Sequence, residues 1–127
     1  SVEEYGTFSI GSLRFQAIPV LHGMMRIAGY RFGSAAYITD VSDLLLETNA
    51  RYLQGLGLLV IGALRSRPHW SHFSFDQALE NARKLRPQRI LFTHISHETS
   101  DAEIRRRYAP EAYPAYDTLT LEVDDER

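Results

Sequence analysis

The sequence contains no cysteine. A disulfide framework, a thiolate-ligated zinc site and a cysteine nucleophile are therefore excluded, while the redox compartment stays undetermined. No apolar stretch approaches the roughly 20 residues that a membrane span requires, and the N-terminus lacks the basic-then-apolar pattern of a signal peptide. Charge of one sign is also scarce. The formal net charge is −2 with acidic and basic residues interspersed, so no nucleic-acid-binding field is written into the composition. The single local basic cluster, Arg105, Arg106 and Arg107, reads as a solvated helix face. These absences lead to a soluble, cytoplasmic protein with no membrane partner and no nucleic-acid partner. What is present is a chain of 127 residues, 44% hydrophobic. That is the size of one domain, able to bury roughly two-thirds of its unfolded surface. The chain begins at Ser1 and not Met, which suggests a piece of a longer protein.

Strand and helix patterns alternate along the chain. "TFSIGSLRFQAIPV" alternates apolar and polar residues about Gly11-Ser12, and "GYRFGSAAYITD" does so about Gly33-Ser34, which predicts two hairpins. "SDLLLETNARYLQGLG" predicts a helix capped by Ser42 and ended by Gly55 and Gly57. "LLVIGAL" is a continuous apolar run of the kind found in a strand buried on both faces. In "SFDQALENARKLRP", Ser74 and Gln77 form a capping box ahead of the apolar stripe Phe75, Ala78, Leu79, Ala82 and Leu85. "RILFT" is a second buried strand, Ser100 with Glu103 opens a short helix that Pro110 closes, and "TLTLEV" is a final strand. This order gives an α/β or α+β layered domain, a mixed sheet covered by helices.

All five histidines fall within a few residues of a predicted strand end. His22 follows "QAIPVL", His69 and His72 follow "LLVIGALRSR", His94 and His97 follow "RILFT", and Asp40 follows "AAYIT". Ligands of open α/β sheets bind beyond the carboxyl ends of the strands, so these side chains converge if those ends lie together. Imidazole and carboxylate without thiolate suit a catalytic zinc, manganese or iron site better than a closed structural one. Histidines not used as ligands could donate protons to a leaving group. Read singly, each residue has a plainer role: Asp40 could cap the following helix, His69 and His72 could be loop residues, and Tyr116-Asp117 reads as a turn. The joint pattern is worth more than any member.

"PVLHG", "GYRFGSAAYITDVS", "RPHWSHFSFDQALE", "PQRILFTHISHE" and "AYDTLTLEV" together resemble successive motifs of the C-terminal half of metallo-β-lactamase-fold hydrolases. They are most similar to the branch containing phosphoribosyl 1,2-cyclic phosphate phosphodiesterase, with tRNA 3′-processing endonucleases as more distant relatives. The resemblance implies His22 as a ligand of a first metal, Asp40 as the carboxylate bridging two metals, and His94 as a ligand of the second. His72 and His97 resemble the non-ligand histidines that contact phosphate or protonate the leaving oxygen, and His69 and Asp117 are candidates for supporting the ligands. The implied reaction is attack of a metal-bound hydroxide on a small cyclic or nucleotide-like phosphodiester, with two divalent ions, zinc or manganese, as cofactors.

The departures from this family are as informative. Its histidine-rich HxHxDH motif is absent, since His22 is the first histidine of the chain. The family fold is an αββα sandwich, and 127 residues suffice for about half of it, one sheet with helices on one face. Gly62 in "VIGALR" stands where this branch is expected to carry an acidic residue near the site. The whole chain, 1–127, therefore reads as a single domain that is half of an enzyme, holding at most one ion weakly and hydrolysing little alone. It is expected to form a homodimer through its uncovered sheet face. Two rival readings are a catalytically inactive scaffold of the same fold, whose histidines would sit apart, and an RNA-processing nuclease, which would want a basic surface.

Overall fold

In the computed structural model, which describes residues 3–115, three successive hairpins open the chain where glycine permits the turn, one more than the sequence predicts. Thr7–Ile10 (β1) and Leu13–His22 (β2) pair antiparallel, and Met25–Phe32 (β3) pairs in turn with β2 and with Ala35–Ile38 (β4). Gly11, Gly23 and Gly33, one at each reversal, hold φ of +61°, +63° and +56°, a region that strains any side chain. From β4 onward the pairing is parallel, through Leu58–Gly62 (β5) and Arg89–Thr93 (β6) to the short Tyr113–Pro114 (β7). Among the described residues this is one mixed sheet in the order β1 to β7. Because β2 and β4 both run antiparallel to β3, the carboxyl ends of β2, β4, β5 and β6 open on the same edge.

The period-2 pattern of the strands sorts their side chains to two faces. Ala36, Ile38, Leu59, Ile61, Ile90 and Phe92 share one core cluster with every buried apolar residue of the helices Phe75–Leu85 (α2) and Asp101–Tyr108 (α3). The helices therefore lie on one face. The second cluster, Ala35, Leu58 and Leu91 with Phe32 and Val60 against it, is built from strands and their immediate flanks. A row of aromatic rings continues that face across the hairpins, with centroids 5.0 Å apart for Phe15 and Phe32 and 5.3 Å for Phe8 and Phe15. None of the described residues is in a helix long and apolar enough to cross a membrane.

The capping box of α2 is formed in both directions, Ser74 Oγ accepting from Gln77 N–H and Gln77 Oε1 from Ser74 N–H. Ser100 Oγ likewise accepts from Glu103 N–H at the start of α3, and the arginines at 105 to 107 are exposed along that helix. The first helix differs from expectation. It is a single turn, Leu46–Asn49 (α1), followed by a 3₁₀ turn over Ala50–Tyr52, and Ser42 does not cap it. Ser42 and Asp43 instead make backbone hydrogen bonds with Leu21 of β2, which delays helical geometry until residue 46. Fully buried Asn49 fixes this turn to β2, its Nδ2 donating to the carbonyls of Pro19 and Leu44 and its Oδ1 accepting from Tyr5 Oη–H. The "TLTLEV" strand lies outside the described residues.

Candidate metal centre

Four side chains meet at the rim where β2, β4, β5 and β6 end. His22 is the last residue of β2, Asp40 stands two residues beyond β4, His72 lies in the loop between β5 and α2, and His94 directly follows β6. One donor atom from each of His22, Asp40 and His72 lies within 4.8 Å of the others, all three groups being half-buried. His94 joins through Asp40, its Nδ1 standing 3.0 Å from Asp40 Oδ1.

Backbone bonds bring these segments together. After Asp40 the chain crosses to β2, where Ser42 N–H donates to Leu21 C=O at 2.8 Å and Ser42 Oγ accepts from Gly23 N–H at 3.0 Å. The carboxylate is thereby set beside His22. Phe73 N–H then donates to Val41 C=O at 2.8 Å, and Leu64 N–H to Phe73 C=O at 2.9 Å, which draws His72 onto the same rim. Ala63 N–H closes on Thr93 C=O at 3.0 Å and holds the mouth of β6 against that of β5.

The hydrogen bonds also assign protons. His22 Nδ1 is 2.9 Å from the Ser71 carbonyl, which only accepts, so Nδ1 carries the hydrogen and Nε2 presents a lone pair. His94 Nδ1 lies against the Asp40 carboxylate and sets that ring beside it. His69 Nδ1 accepts from Ser71 N–H at 3.1 Å, which removes that nitrogen from ligand duty. Burial, reinforced by the neighbouring His22, lowers the pKa of His72 below the ordinary imidazole value despite the opposing pull of Asp40, and keeps the ring neutral at pH 7.

Of the residues singled out from sequence, the structure gathers His22, Asp40, His72 and His94. His69 packs beside them, its ring centroid 5.2 Å from that of His72. His97 is exposed on the next turn and is outside the three-donor group; with His94, Tyr37, Thr93 and Asp101 it lines an open depression of about 700 Å³. Asp117 lies outside the described residues. The arrangement differs from the resemblance in one respect: the three donors that face one point include His72, whereas His94 reaches the group through Asp40.

The glycine at position 62 acquires a physical reason. A Cβ there would stand 1.6 Å from the carbonyl oxygen of Thr39, the residue before Asp40, so no acidic side chain fits at that point of β5. Sequence reasoning also passed over Ser71, buried to 6% exposure, whose backbone serves His22 and His69 at once. Its place between His69 and His72 in "PHWSH" was the available signal.

Comparison with known proteins identifies the family and the fold. The profile of the beta-lactamase superfamily domain matches residues 1–95. A crystal structure described as a new diphosphatase from the PhnP family superposes with a TM-score of 0.87 at 37% identity, over 94% of this chain and 46% of the other. The metallo-beta-lactamase fold protein YhfI from Bacillus subtilis superposes at TM-score 0.70 and 13% identity, over 91% of this chain and 52% of the other. Human tRNase Z, short form, does so at 0.67 and 17%, over 91% and 45%; at these identities the two share the fold alone. A Porphyromonas gingivalis protein described as an octanoyltransferase is 28% identical over 93% of this chain, but only 24% of its own length is covered. The chain thus spans about half the length of the structure most like it in sequence among these. With three quarters of its residues matched by the profile and its sheet superposing on that fold, the chain belongs to the beta-lactamase superfamily and carries part of the metallo-β-lactamase fold.

Proposed function

We propose that the protein containing this chain is a metal-dependent hydrolase of phosphate esters, and that this chain supplies the C-terminal half of its site. The observation that carries the reading is the convergence of His22, Asp40 and His72, with His94 Nδ1 3.0 Å from Asp40. An imidazole and carboxylate donor set without thiolate fits zinc or manganese, and iron as well. Such a cation supplies Lewis-acid polarisation of a phosphoryl oxygen and makes water acidic enough to attack near neutral pH. His22 Nε2, Asp40 and His72 would hold it. The Ser71 carbonyl maintains the His22 tautomer that offers Nε2, and His94, whose Nδ1 lies 3.0 Å from Asp40, would turn its Nε2 to a second ion in the whole protein. His97, beside the same depression, is the candidate proton donor to the leaving oxygen.

The favoured substrate is a small cyclic or nucleotide-like phosphodiester. A second reading, cleavage of a phosphoanhydride, is favoured by the description of the 37%-identical relative as a diphosphatase; both are displacements at phosphorus that need the same charge stabilisation. The octanoyltransferase description does not bear on this chain, which covers 24% of that protein. Alone, the 127 residues hold one ion weakly, hydrolyse little, and pair two copies through the aromatic face of Phe8, Phe15 and Phe32.

Calorimetric titration of Mn²⁺ and Zn²⁺ into the chain tests the site. Binding should weaken more than about 10-fold in His22→Ala and Asp40→Asn, since even residues that only support a ligand are worth 10–100-fold. Affinity indifferent to both substitutions would remove the proposal. Turnover of bis(p-nitrophenyl) phosphate by the isolated chain should stay near background, and robust metal-dependent turnover would show that the site is already complete.

A further inference from the structure

Trp70 is the only tryptophan of the chain and stands 75% exposed between His69 and Ser71. On the turn just past His22, Met24 is 95% exposed and Met25 58%. An indole left in water forgoes one of the largest burial gains open to any side chain, so its place beside the donor cluster calls for a use. Its benzo edge rests on Gly23, where a Cβ would come within 2.4 Å of Cζ3. Its plane lies 19° from that of His69 at 6.2 Å, and the His69 ring is 5.2 Å from that of His72. Rings thus step from an exposed indole through His69 to His72, one of the three donors.

The cations of the same loop are already engaged. Arg65 donates to the carbonyls of Arg67 and Pro68, and Arg67 pairs with Glu98. The loop therefore presents an aromatic face to an incoming substrate.

We infer that Trp70 is the stacking platform for the base of a nucleoside phosphate whose phosphate reaches the His22, Asp40 and His72 group. The inference rests on the phosphate-hydrolase reading of that group and adds to it the class of substituent on the phosphate. An indole accepts the π face of any base without regard to its edge pattern, and the methionines add adaptable apolar contact. A bare sugar phosphate has no π face to stack on the indole.

Because Trp70 is the sole indole, its fluorescence reports on this one position. The chain, loaded with Mn²⁺, is titrated with AMP, ribose 5-phosphate and adenosine, in the wild-type form and as Trp70→Ala and Trp70→Phe, with calorimetry as the readout for the alanine variant. AMP and adenosine should quench the indole and ribose 5-phosphate should not. AMP should bind roughly 5- to 100-fold more tightly than ribose 5-phosphate, a ratio that falls toward one in Trp70→Ala and is largely kept in Trp70→Phe. Equal affinity for AMP and ribose 5-phosphate, or a ratio unmoved by Trp70→Ala, overturns the inference and leaves the indole as a contact for another part of the protein. The adenosine arm separates the two hypotheses: quenching by adenosine without any Mn²⁺ binding supports the platform and removes the metal centre, whereas Mn²⁺ binding with no quenching by either base-bearing ligand does the reverse.

Discussion

Replacing Gly62 by alanine should damage the candidate metal centre without touching any of its side chains. The added Cβ would lie 1.6 Å from Thr39 O and 2.7 Å from Thr39 C, where ordinary contact begins at 3.4 Å. The obstacle is backbone, so no rotamer change relieves it. Either the Thr39 carbonyl retreats by roughly 2 Å, or β5 parts from β4 by a comparable amount. The parallel register Ile38↔Ile61 ends one residue earlier, and Asp40 follows one residue later, so the retreat falls on the carboxylate that links His22, His72 and His94. Overpacking costs about 1–3 kcal/mol, and a clash with main chain belongs at the upper end of that range. For a domain of this size the melting temperature should fall by roughly 10 °C.

Urea unfolding followed by circular dichroism gives the stability change, and calorimetric Mn²⁺ titration gives the change at the site. Gly62→Ala should lower the unfolding midpoint and weaken Mn²⁺ binding more than about 10-fold, a loss as large as removal of a residue that orients a ligand. Gly62→Glu should do no better, although an acidic residue is what the resemblance leads one to expect there. An alanine variant with both the midpoint and the affinity of the wild type would show that the approach of Thr39 to β5 does not position Asp40.

Three further outcomes follow from the same geometry. His72→Ala should weaken Mn²⁺ binding more than about 10-fold in calorimetry, because His72 is one of the three donors facing one point; an unchanged affinity would return it to the non-ligand role that the resemblance implies. Tyr108, 8% exposed and donating to Asp76 at 2.7 Å, has its phenol pushed up to about 12, chiefly by burial and then by that hydrogen bond. The folded state therefore holds this proton where the unfolded chain releases it, so stability fully present below pH 10 should decline by about 2–3 kcal/mol as pH rises through 12, a decline that Tyr108→Phe removes from pH-dependent urea midpoints. The isolated chain should sediment as a dimer and Phe15→Glu, which puts a charge on the aromatic face, as a monomer; a wild-type monomer would refute pairing through that face.

Most strands were legible in the sequence because they carried their own punctuation, whereas the two-residue β7 was not read from it. Gly11-Ser12 and Gly33-Ser34 fall where the hairpins turn, and "LLVIG" and "RILFT" coincide with β5 and β6. The α2 helix was equally plain, since its capping box and its apolar stripe are local properties that point the same way. The segment after Asp40 failed for the opposite reason. Ser42 and the leucines at 44 to 46 have the local chemistry of a helix start, but the backbone of residues 42 and 43 bonds to Leu21, far back along the sequence, and tertiary pairing overrides propensity. The same contact explains what was readable at the site. That His22, Asp40 and His94 lie at strand ends could be seen from the pattern, and the parallel sheet then aligns those ends. That His72 joins them depends on Phe73 bonding to Val41, a contact with no trace in composition or spacing.

The backbone at the rim argues that the geometry there is not incidental. Among the described residues, four non-glycine positions hold positive φ: Tyr5, Leu45, Arg86 and His94. Three have local structural reasons. Arg86 closes α2 in the left-handed conformation common after helices, Leu45 leads into α1 with its N–H held by Asp43, and Tyr5 donates from its backbone to Ala17 and from its ring to buried Asn49. His94, at φ +59°, caps nothing. Continued alternation along β6 would send residue 94 to the face of Ile90 and Phe92, into the core beneath the helices. The left-handed turn breaks that alternation and delivers the ring to Asp40. A conformation that costs about 1–2 kcal/mol in an L-residue persists where surrounding structure holds it, and here it sets the ring beside the carboxylate that three separate segments meet.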